Sequence, residues 1–387
     1  MKAKRNTRSV LFFFIFIFLF NTSLTAQDSS HIRISLLTCS PGNELYSLFG
    51  HSALRVIDSS SVTDIVYNYG TFNFDDEDFY LKFIRGKLLY SLSIDNFNDF
   101  TFEYQITNRS IREQVLNLSG EEKMSLYQAL LENLKEDNRY YKYDFFFDNC
   151  TTRLRDIIIK HKTPPPVLPA VMPAGYSFRN AIHQYLDAAN QDWSKLGIDI
   201  LLGARTDKIM TVSQQEFLPD NLMSALDSSH NVKMVQSGKE LFVAQKNNGG
   251  TWFSPTLFFL LLLLLYVLCS LPSSEFFKNV MIFLDMLLFF ITGLLGIILI
   301  FMWVGTDHSM TKNNYNLIWA LPTHILMAFF VRSSKTFAKK YFTFNAILSI
   351  LLLICWYFLP QQFNYSLIPF VILLAFRSIA IAKNKVV

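Results

Sequence analysis

Charged residues are scarce in this chain: they make up 17% of its 387 residues, whereas hydrophobic residues make up 51% and Phe alone occurs 38 times. The formal net charge is only +4. Residues 27–251 hold 22 Lys and Arg against 28 Asp and Glu, so the part long enough to form a soluble domain is acidic. This composition argues against a nucleic-acid-binding protein and indicates that the apolar residues are segregated along the chain.

Motifs for metal ions and nucleotide cofactors are also missing. The sequence has no close pair of His, Cys or carboxylate residues at ligand spacing, no glycine-rich phosphate loop and no dinucleotide fingerprint. We therefore expect neither a metal ion nor an organic cofactor.

Residues 1–26 have the pattern of a secretory signal peptide. They contain four bases and no acid, an eleven-residue apolar run from Val10 to Phe20, and a short polar stretch that ends at Ala26. The apolar run is too short to span a bilayer comfortably, which favours a cleaved signal over an uncleaved anchor. Both alternatives place the following domain on the outer side of the membrane.

The C-terminal third contains five apolar segments of spanning length, at 252–271, 279–304, 315–331, 341–359 and 365–382. The loop at 332–340 carries four bases and the C-terminal tail carries two, whereas the loops at 305–314 and 360–364 carry one and none. By the positive-inside rule, the basic loop and the tail are cytoplasmic. We therefore predict an extracytoplasmic domain at 27–250, followed by an all-α bundle of five transmembrane helices at 251–387.

Two charged residues, Asp285 and Arg377, fall inside these segments. An ionisable residue within a span is a candidate functional residue. Both lie nearer the cytoplasmic ends in the predicted topology, however, and we expect their side chains to snorkel to the interface.

The extracytoplasmic region has the pattern of an α+β domain. Short strands are expected at 31–38, 51–57 and 64–70, with more between 87 and 118. A helix is expected at about 120–136, where Ser119 and Glu122 form a capping box, and a second from Asp148 or Asn149 to about His161. Residues 163–250 are interpreted as the segment that joins this domain to the bundle, ending in the linker Asn247–Gly250.

The extracytoplasmic domain has two cysteines, Cys39 and Cys150. A disulfide between them is one interpretation in an oxidising compartment. The second is that Cys150 is a nucleophile, because a cysteine in the first turn of a helix faces unpaired N–H groups that stabilise the thiolate. Such a nucleophile needs a histidine, and His51 stands at the start of a predicted strand, directly after a turn.

A histidine on a strand that faces a cysteine at a helix N-terminus is the arrangement of papain-like enzymes. Here His51 precedes Cys150 by 99 residues, the opposite of the papain order. The chemistry depends on geometry rather than on chain order. The alternative interpretation is a structural cysteine and a histidine satisfied by the core.

Three sequence blocks that contain these residues resemble a known family. The blocks are Gly-His-Ser-Ala-Leu-Arg at 50–55, Tyr-Asn-Tyr-Gly-Thr-Phe at 67–72, and Asp-Phe-Phe-Phe-Asp-Asn-Cys-Thr-Thr-Arg at 144–153. They look like the N-terminal periplasmic domain of the Bacteroidota lipoprotein N-acyltransferase family, and residues 306–324 resemble its membrane part. The resemblance implies a circularly permuted papain-like domain of the NlpC type, located in the periplasm and attached to the inner membrane.

The resemblance also implies a two-step acyl transfer. Cys150 would attack an ester of a membrane phospholipid, and the α-amine of a diacylglyceryl-cysteine lipoprotein would then take the acyl chain. His51 would act as general base and acid, and the backbone N–H of Cys150 would stabilise the oxyanion. Asn68 is the candidate residue for orienting the histidine, and the alternatives are Tyr67, Tyr69 and Asp64.

The loop at 305–314 emerges on the same side as the predicted catalytic domain and is dense in polar residues. We expect Asp307 and His308 to bind the headgroup or substrate near the active site. His324 lies inside a predicted span, and with three neighbouring residues it suggests a polar face that lines a cavity. These neighbours are Asn316, Trp319 and Pro322.

Two other functions remain compatible with the sequence. The first is a membrane-tethered cysteine hydrolase of cell-wall peptides, for which the bundle would serve only as an anchor. The second is a non-catalytic binding or assembly protein, in which Cys150 is bridged to Cys39 or buried away from His51.

Overall fold

The structure, a computed structural model, describes residues 30–245, 253–272 and 274–383, apart from the side chain of Leu45. The predicted signal at 1–26 and the predicted linker Asn247–Gly250 lie outside the described residues.

The N-terminal domain is built on one antiparallel sheet, in which the structure describes seven strands in the order β6-β4-β3-β2-β1-β5-β7. Their bounds are β1 Ile32–Cys39, β2 His51–Asp58, β3 Thr63–Thr71, β4 Leu89–Asn96, β5 Ile111–Leu116, β6 Tyr140–Lys142 and β7 Val235–Phe242. The central strands β1 and β2 are buried along most of their length. Both strands mix apolar with polar residues, and some of the polar ones, such as Ser35 and Ser52, are buried as well.

Eight helices surround this sheet in the described part of the N-terminal domain. They are α1 Phe79–Ile84, α2 Phe97–Ile106, α3 Gly120–Leu134, α4 Cys150–Lys160, α5 Phe178–Ala188, α6 Asp192–Leu201, α7 Val212–Gln215 and α8 Pro219–Asp227. Helix α3 starts after the predicted cap Ser119, and α4 starts after Asn149, one of the two candidate caps. The domain is therefore of mixed α and β structure, as the sequence predicts.

One main core lies between the sheet and helices α3 and α4. Leu126 and Leu130 of α3 and Leu154 and Ile158 of α4 are fully buried there, against β-strand residues such as Leu54. The apolar stripe of each helix recurs at helical spacing, so that burial of one face fixes the rotation of the helix. For α4, this rotation places its N-terminal end beside the ends of β2 and β3.

Residues 163–245 do more than join the two parts of the chain. Their last strand, β7, pairs with β5 and completes the sheet, whereas the sequence predicts only a connecting segment. Five of its eight residues are polar or glycine, and all five are exposed. This edge position explains why β7 lacks the apolar alternation that identifies a strand in a sequence.

The C-terminal region is helical. Its helices are α9 Pro255–Cys269, α10 Glu275–Val304, α11 His324–Met327, α12 Thr336–Ile354 and α13 Ile368–Ala382. Among the described residues, three helices are long and apolar enough to cross a membrane: Glu275–Val304, Thr336–Ile354 and the continuous helical segment Tyr365–Ala382. Helix α9 is apolar but shorter, with 15 residues.

The predicted span at 315–331 is not one continuous helix. It consists of a 3-10 turn at Tyr315–Ile318, the short helix α11 and a second 3-10 turn at Ala328–Phe330. Pro322 has no backbone N–H to donate and disfavours an α-helical residue before it. The side chain of Asn316 also donates outside the segment, to the carbonyl oxygens of Asp199 and Ile200 at 3.0 and 3.1 Å.

Asp285 and Arg377 form a buried ion pair, which contradicts the expectation that each would snorkel to the interface. The guanidinium donates to both carboxylate oxygens, with Nε and Nη2 at 2.7 and 2.8 Å. Asp285 is fully buried and Arg377 is 2% exposed. Pairing within the bundle satisfies both charges, so neither side chain needs to reach water.

The junction between the two regions is polar. The side-chain amides of Asn314 and Asn316 donate to backbone carbonyls at the C-terminal end of α6, and Gln361 donates to the carbonyl oxygen of Leu202 at 3.1 Å. The backbone N–H of Gly203 donates to the carbonyl oxygen of Met310 at 2.9 Å. These contacts hold the N-terminal domain against loops of the helical region.

Candidate active site

Cys150 is the first residue of α4, and the preceding turn is fixed by Asn149. The Asn149 side-chain oxygen accepts the N–H of Thr152 at 2.8 Å, which caps the helix. The amide nitrogen of the same side chain donates to the carbonyl oxygens of Phe145 and Phe217, both at 2.8 Å. Because Asn149 is buried and uses both ends of its amide, the Cys150 backbone is held in one orientation.

His51 is the first residue of β2 and follows a tight turn at Gly50. Gly50 has φ +77°, and a Cβ atom there would lie 2.6 Å from the carbonyl oxygen of Cys39. Glycine therefore permits the turn for both conformational and steric reasons. His51 pairs with Cys39 across the β1–β2 ladder, and its ring lies half-buried at the end of the sheet.

The histidine ring interacts directly with the thiol. Burial opposes ionisation of Cys150, but the charge and hydrogen bond of His51 outweigh it, with smaller contributions from the backbone N–H of Ser52 and the hydroxyl of Thr151. The pKa of Cys150 consequently falls from 9.0 to about 7. The pKa of His51 is raised, because the thiolate and Asn68 offset the burial of its ring. Each group thus stabilises the charged form of the other: the imidazolium lowers the pKa of the thiol, and the thiolate raises the pKa of the imidazole.

Asn68 on β3 holds the other side of the histidine. Its side-chain oxygen is 3.1 Å from Nε2 of His51, and its amide nitrogen donates to a carboxylate oxygen of Asp95 at 2.6 Å. The donation to Asp95 fixes the amide so that its oxygen faces the ring. The chain of contacts is thus Cys150, His51, Asn68 and Asp95, and Asp95 is the member that no sequence pattern indicates.

The three alternatives to Asn68 have other partners. Asp64 accepts from the guanidinium of Arg55 at 2.8 and 2.6 Å. The hydroxyl of Tyr69 accepts from Asn133 at 2.7 Å, and Tyr67 interacts with Tyr127. In this geometry Asn68 is the residue that contacts the histidine.

Two further contacts bring α4 close to the sheet beside the thiol. The hydroxyls of Ser52 and Thr151 lie 3.1 Å apart in the buried interface between β2 and α4. A Cβ atom at Gly70 would lie 3.6 Å from Cβ of Cys150, within ordinary van der Waals contact. Residues 50–55, 67–72 and 144–153, which carry the sequence resemblance, therefore meet at one place in the fold.

Cys39 lies next to this site but has a different environment. It is buried, and its pKa is raised to about 12, mainly by desolvation. In the part of the chain that the structure describes, all four cysteines are free, so Cys39 and Cys150 are not bridged. Cys39 has the properties of an inert core thiol, whereas Cys150 has those of a reactive one.

The sequence of this chain matches models of known protein families. The family model of the Lnb N-terminal periplasmic domain matches residues 20–168, and that of the Lnb transmembrane domain matches residues 245–385. The chain belongs to the Lnb family. A search of curated proteins found no match, and a search of solved structures found none either.

Membership of the Lnb family establishes the coarse organisation. The N-terminal domain is periplasmic, and the C-terminal region is a membrane domain whose described part includes three helices of spanning length. His51, Asn68 and Cys150 all belong to the periplasmic Lnb domain. The site therefore lies outside the cytoplasm in a protein embedded in the membrane.

Asp307 and His308 lie at the junction between the two Lnb domains. The carboxylate of Asp307 accepts from Lys142 at 2.6 Å, and its backbone N–H donates to the carbonyl oxygen of Arg85 at 3.0 Å. Nε2 of His308 lies 3.2 and 3.1 Å from the carbonyl oxygens of Phe83 and Ile84. Both residues thus connect the loop after α10 to the periplasmic domain, and substrate binding by them stays a prediction.

His324 lies inside the bundle rather than beside the thiol. Its Nδ1 is 2.7 Å from the hydroxyl of Tyr341, and its ring packs edge-on against Phe289. The neighbouring Trp319 donates from its indole nitrogen to Asn316 at 2.9 Å. The structure therefore brings His51, Asn68 and Cys150 together, but places His324 in a separate, internal polar group.

Metal binding has no support in the described ranges 30–245, 253–272 and 274–383. Within them, no group of three or more His, Cys, Asp or Glu side chains is placed to hold a metal ion.

Proposed function

We propose that this protein is a lipoprotein N-acyltransferase, which transfers an acyl chain from a membrane phospholipid to the α-amine of a diacylglyceryl-cysteine lipoprotein. The observation that carries the proposal is the position of Cys150 at the N-terminus of α4, beside His51, whose ring lies 3.1 Å from the side-chain oxygen of Asn68, in a membrane-anchored periplasmic domain. The pKa of Cys150, lowered to about 7, agrees with this geometry. A thiol that ionises near neutral pH suits a covalent acyl carrier. A lipid donor and a lipid-modified acceptor suit an enzyme that is held at the membrane.

In the first step, Sγ of Cys150 attacks the ester carbonyl carbon of the phospholipid. The C–S bond forms, the ester C–O bond breaks, and the thiol proton passes through His51 to the departing alkoxide. The products are an acyl thioester on Cys150 and a lysophospholipid. The backbone N–H of Cys150, in the first turn of α4, is the proposed donor to the oxyanion.

In the second step, the neutral α-amine of the lipoprotein attacks the thioester carbonyl. The C–N bond forms, the C–S bond breaks, and the amine proton passes to His51 before it returns to the thiolate. The enzyme is restored and the lipoprotein gains its amide-linked acyl chain. His51 acts as base in one direction and acid in the other, which its position against the thiol permits.

Asn68 and Asp95 are proposed to orient His51 rather than to contact substrate. The Asn68 oxygen accepts the Nε2–H of His51 at 3.1 Å, so Nδ1 is then the nitrogen available for proton transfer. Asp95 fixes the Asn68 amide at 2.6 Å. This arrangement performs the role that the third member of a catalytic triad performs.

The proposal includes the finer architecture that the family implies. We propose a permuted papain-like catalytic domain at 27–250 after a signal at 1–26, and a bundle at 251–387 that crosses the membrane five times. The C-terminus is then cytoplasmic, by the positive-inside rule. In this topology the loop at 305–314 and the site are on the same, periplasmic side of the inner membrane.

The role of Asp307 and His308 in substrate binding can be separated from their role at the junction. Lys142 pairs with Asp307 across the junction but is not predicted to bind substrate. If the two residues bind the headgroup, replacing both with Ala lowers acylation well below the level of Lys142→Ala. Equal acylation by the double variant and the wild type would exclude the binding role.

The proposed activity is tested on a lipoprotein in cells. Mass spectrometry of its N-terminal peptide is compared among the wild type, a deletion strain, and deletion strains that express wild-type or Cys150→Ser protein. We expect the third acyl chain to disappear in the deletion and to return only with the wild-type protein, whereas Cys39→Ser should restore it. A third acyl chain that persists without Cys150, or altered cell-wall peptides in place of altered lipoproteins, would contradict the proposal.

A further inference from the structure

An exposed apolar surface surrounds helix α1 in the periplasmic domain. Six large apolar side chains between residues 74 and 89 are exposed by 46 to 76%: Phe74, Tyr80, Leu81, Phe83, Ile84 and Leu89. We call this set the α1 surface. Contiguous apolar patches of this kind on a folded domain mark an interaction site.

The α1 surface lies close to the end of a membrane-spanning helix. Helix α10 ends at Val304, whose side chain is 76% exposed in the isolated chain and therefore suits a lipid environment. Three residues later, the backbone N–H of Asp307 donates to the carbonyl oxygen of Arg85, one residue beyond α1. Three residues span at most about 11 Å, so the C-terminal end of α1 is held near the level at which α10 leaves the membrane.

The attachment of α1 to this level involves more than one contact. The ring of His308 lies against Gly86 and within hydrogen-bond distance of the carbonyl oxygens of Phe83 and Ile84. Lys142, which pairs with Leu89 across the β4–β6 ladder, also binds Asp307. Both ends of the segment between α1 and β4 are thus fixed to the loop that follows α10.

The charges around α1 are divided between its two ends. Three exposed acids, Asp75, Glu77 and Asp78, precede the helix, whereas two exposed bases, Arg85 and Lys87, follow it on the side of the membrane loop. Basic side chains next to exposed aromatic residues are typical of segments that lie at a lipid headgroup layer. The polarity therefore matches a phosphate-bearing surface at the C-terminal end of α1.

An aromatic path leads from α1 to the thiol. Phe79 of α1 packs on Phe72 at a centroid distance of 5.8 Å, Phe72 packs on Tyr90 at 5.2 Å, and Tyr90 stacks on Tyr143 at 4.2 Å. Tyr143 and Cys150 both approach the Cβ position of Gly70, at 3.9 and 3.6 Å. Phe79 is also next to Phe74 and Phe83 of the α1 surface, at centroid distances of 5.0 and 6.2 Å, so packed side chains connect this surface with the surroundings of the nucleophile.

We propose that the α1 surface inserts into the periplasmic leaflet of the membrane that the C-terminal helices cross. Its ligand is the lipid of that leaflet: apolar side chains contact the acyl-chain boundary, while Arg85 and Lys87 contact headgroup phosphates. The insertion holds the periplasmic domain at a fixed height and orientation, and packed aromatic side chains connect the inserted surface with the surroundings of Cys150. This contact does not depend on the acyl-transfer activity.

The proposal is tested by photo-crosslinking of the full-length protein in phospholipid nanodiscs. A benzoylphenylalanine residue replaces Tyr80 or Leu81, both exposed, and lipid adducts are quantified by mass spectrometry after irradiation. Val62, an exposed residue in the turn between β2 and β3, is the negative control at 90% exposure. Ile298, an exposed residue of α10, is the positive control.

We expect lipid adducts at positions 80 and 81 to approach the yield at 298 and to exceed that at 62 by at least about fivefold, as for a segment buried at the interface. The double variant Arg85→Gln, Lys87→Gln should lower the yield at 80 in nanodiscs that contain phosphatidylglycerol, but leave the yield at 298 unchanged. Adducts at 298 together with a yield at 80 no higher than at 62 would overturn the proposal. Cys150→Ser should not change any of these yields, which separates the lipid contact from catalysis.

Discussion

The contact between His51 and Cys150 predicts a specific titration of the thiol. In the wild type the pKa of Cys150 is about 7, because the charge and hydrogen bond of His51 offset the burial of the sulfur. Replacement of His51 with Ala removes both interactions but leaves Cys150 partly buried. The pKa should then return to the ordinary value of 9.0 or exceed it. A change from about 7 to 9 corresponds to about 2.7 kcal/mol of lost thiolate stabilisation.

The assay is the pH dependence of Cys150 alkylation by iodoacetamide, followed on its own peptide by mass spectrometry. At pH 7 the thiolate fraction falls from about one half to about 1% when the pKa rises by this amount. A thiolate of higher pKa is also a stronger nucleophile, by up to about tenfold over this range. The alkylation rate at pH 7 therefore falls only several-fold, and the midpoint of the pH profile is the decisive quantity.

The expected midpoints are about 7 for the wild type and 9 or above for His51→Ala. His230, which is exposed, provides the matched control, since His230→Ala should leave the midpoint unchanged. A wild-type midpoint near 9, or a His51→Ala midpoint that stays near 7, would refute the assignment of His51 as the partner of the thiol.

Three further predictions concern neighbouring contacts. Asn68→Ala removes the acceptor of the protonated histidine, a bond worth about 1.5 to 3 kcal/mol, so acylation should fall at least about tenfold in a kinetic assay run below the unfolding midpoint of the variant. Equal rates would exclude the orienting role. Arg377→Met leaves Asp285 buried and unpaired, so the midpoint of thermal unfolding in detergent should fall in line with a loss of about 3 to 5 kcal/mol of unfolding free energy. A second change, Asp285→Leu, should restore the midpoint. An unchanged midpoint for the single variant would contradict the ion pair. Gly296→Val adds side-chain atoms that collide with the carbonyl oxygen of Ala320, so folded protein should decrease on size-exclusion chromatography, and normal yield would contradict this packing.

The parts of the fold that were predictable from the sequence are those with local signals. Ser119 and Asn149 cap the two predicted helices through contacts three residues away, and a sequence displays such contacts directly. The bounds of strands β1 to β3 agree with the predicted segments 31–38, 51–57 and 64–70 within one residue at each end. The proximity of His51 to Cys150 was predicted from general chemistry, because a cysteine at a helix N-terminus becomes useful only with a base beside it.

The parts that were not predictable depend on long-range pairing. Asp95 joins the site only because the register of β3 and β4 places it two residues beyond the partner of Asn68. Asp285 and Arg377 are 92 positions apart in the chain, and they can pair only if their two spans are neighbours in the bundle. Each residue considered alone suggested snorkelling, and only the packing of the bundle shows that their charges neutralise each other.

The interruption of the helix at 315–331 also depends on contacts between residues that are distant in the sequence. Hydropathy marks this segment as a span, but Asn314 and Asn316 use their amides to hold the end of α6. Those contacts involve a helix that lies more than 100 residues earlier in the chain. A hydropathy window measures the apolar composition of the segment. It contains no information on the polar contacts with α6, which compete with helix formation.

The central claim is that Cys150 carries an acyl chain taken from a phospholipid. The most direct measurement is intact mass spectrometry of the purified protein after incubation in phospholipid nanodiscs without lipoprotein acceptor. We predict a mass increase of one acyl group located on the Cys150 peptide, released by neutral hydroxylamine, accompanied by lysophospholipid, and lost in Cys150→Ser. Unmodified Cys150 with no lysophospholipid, in protein that retains its fold and its membrane, would contradict the account.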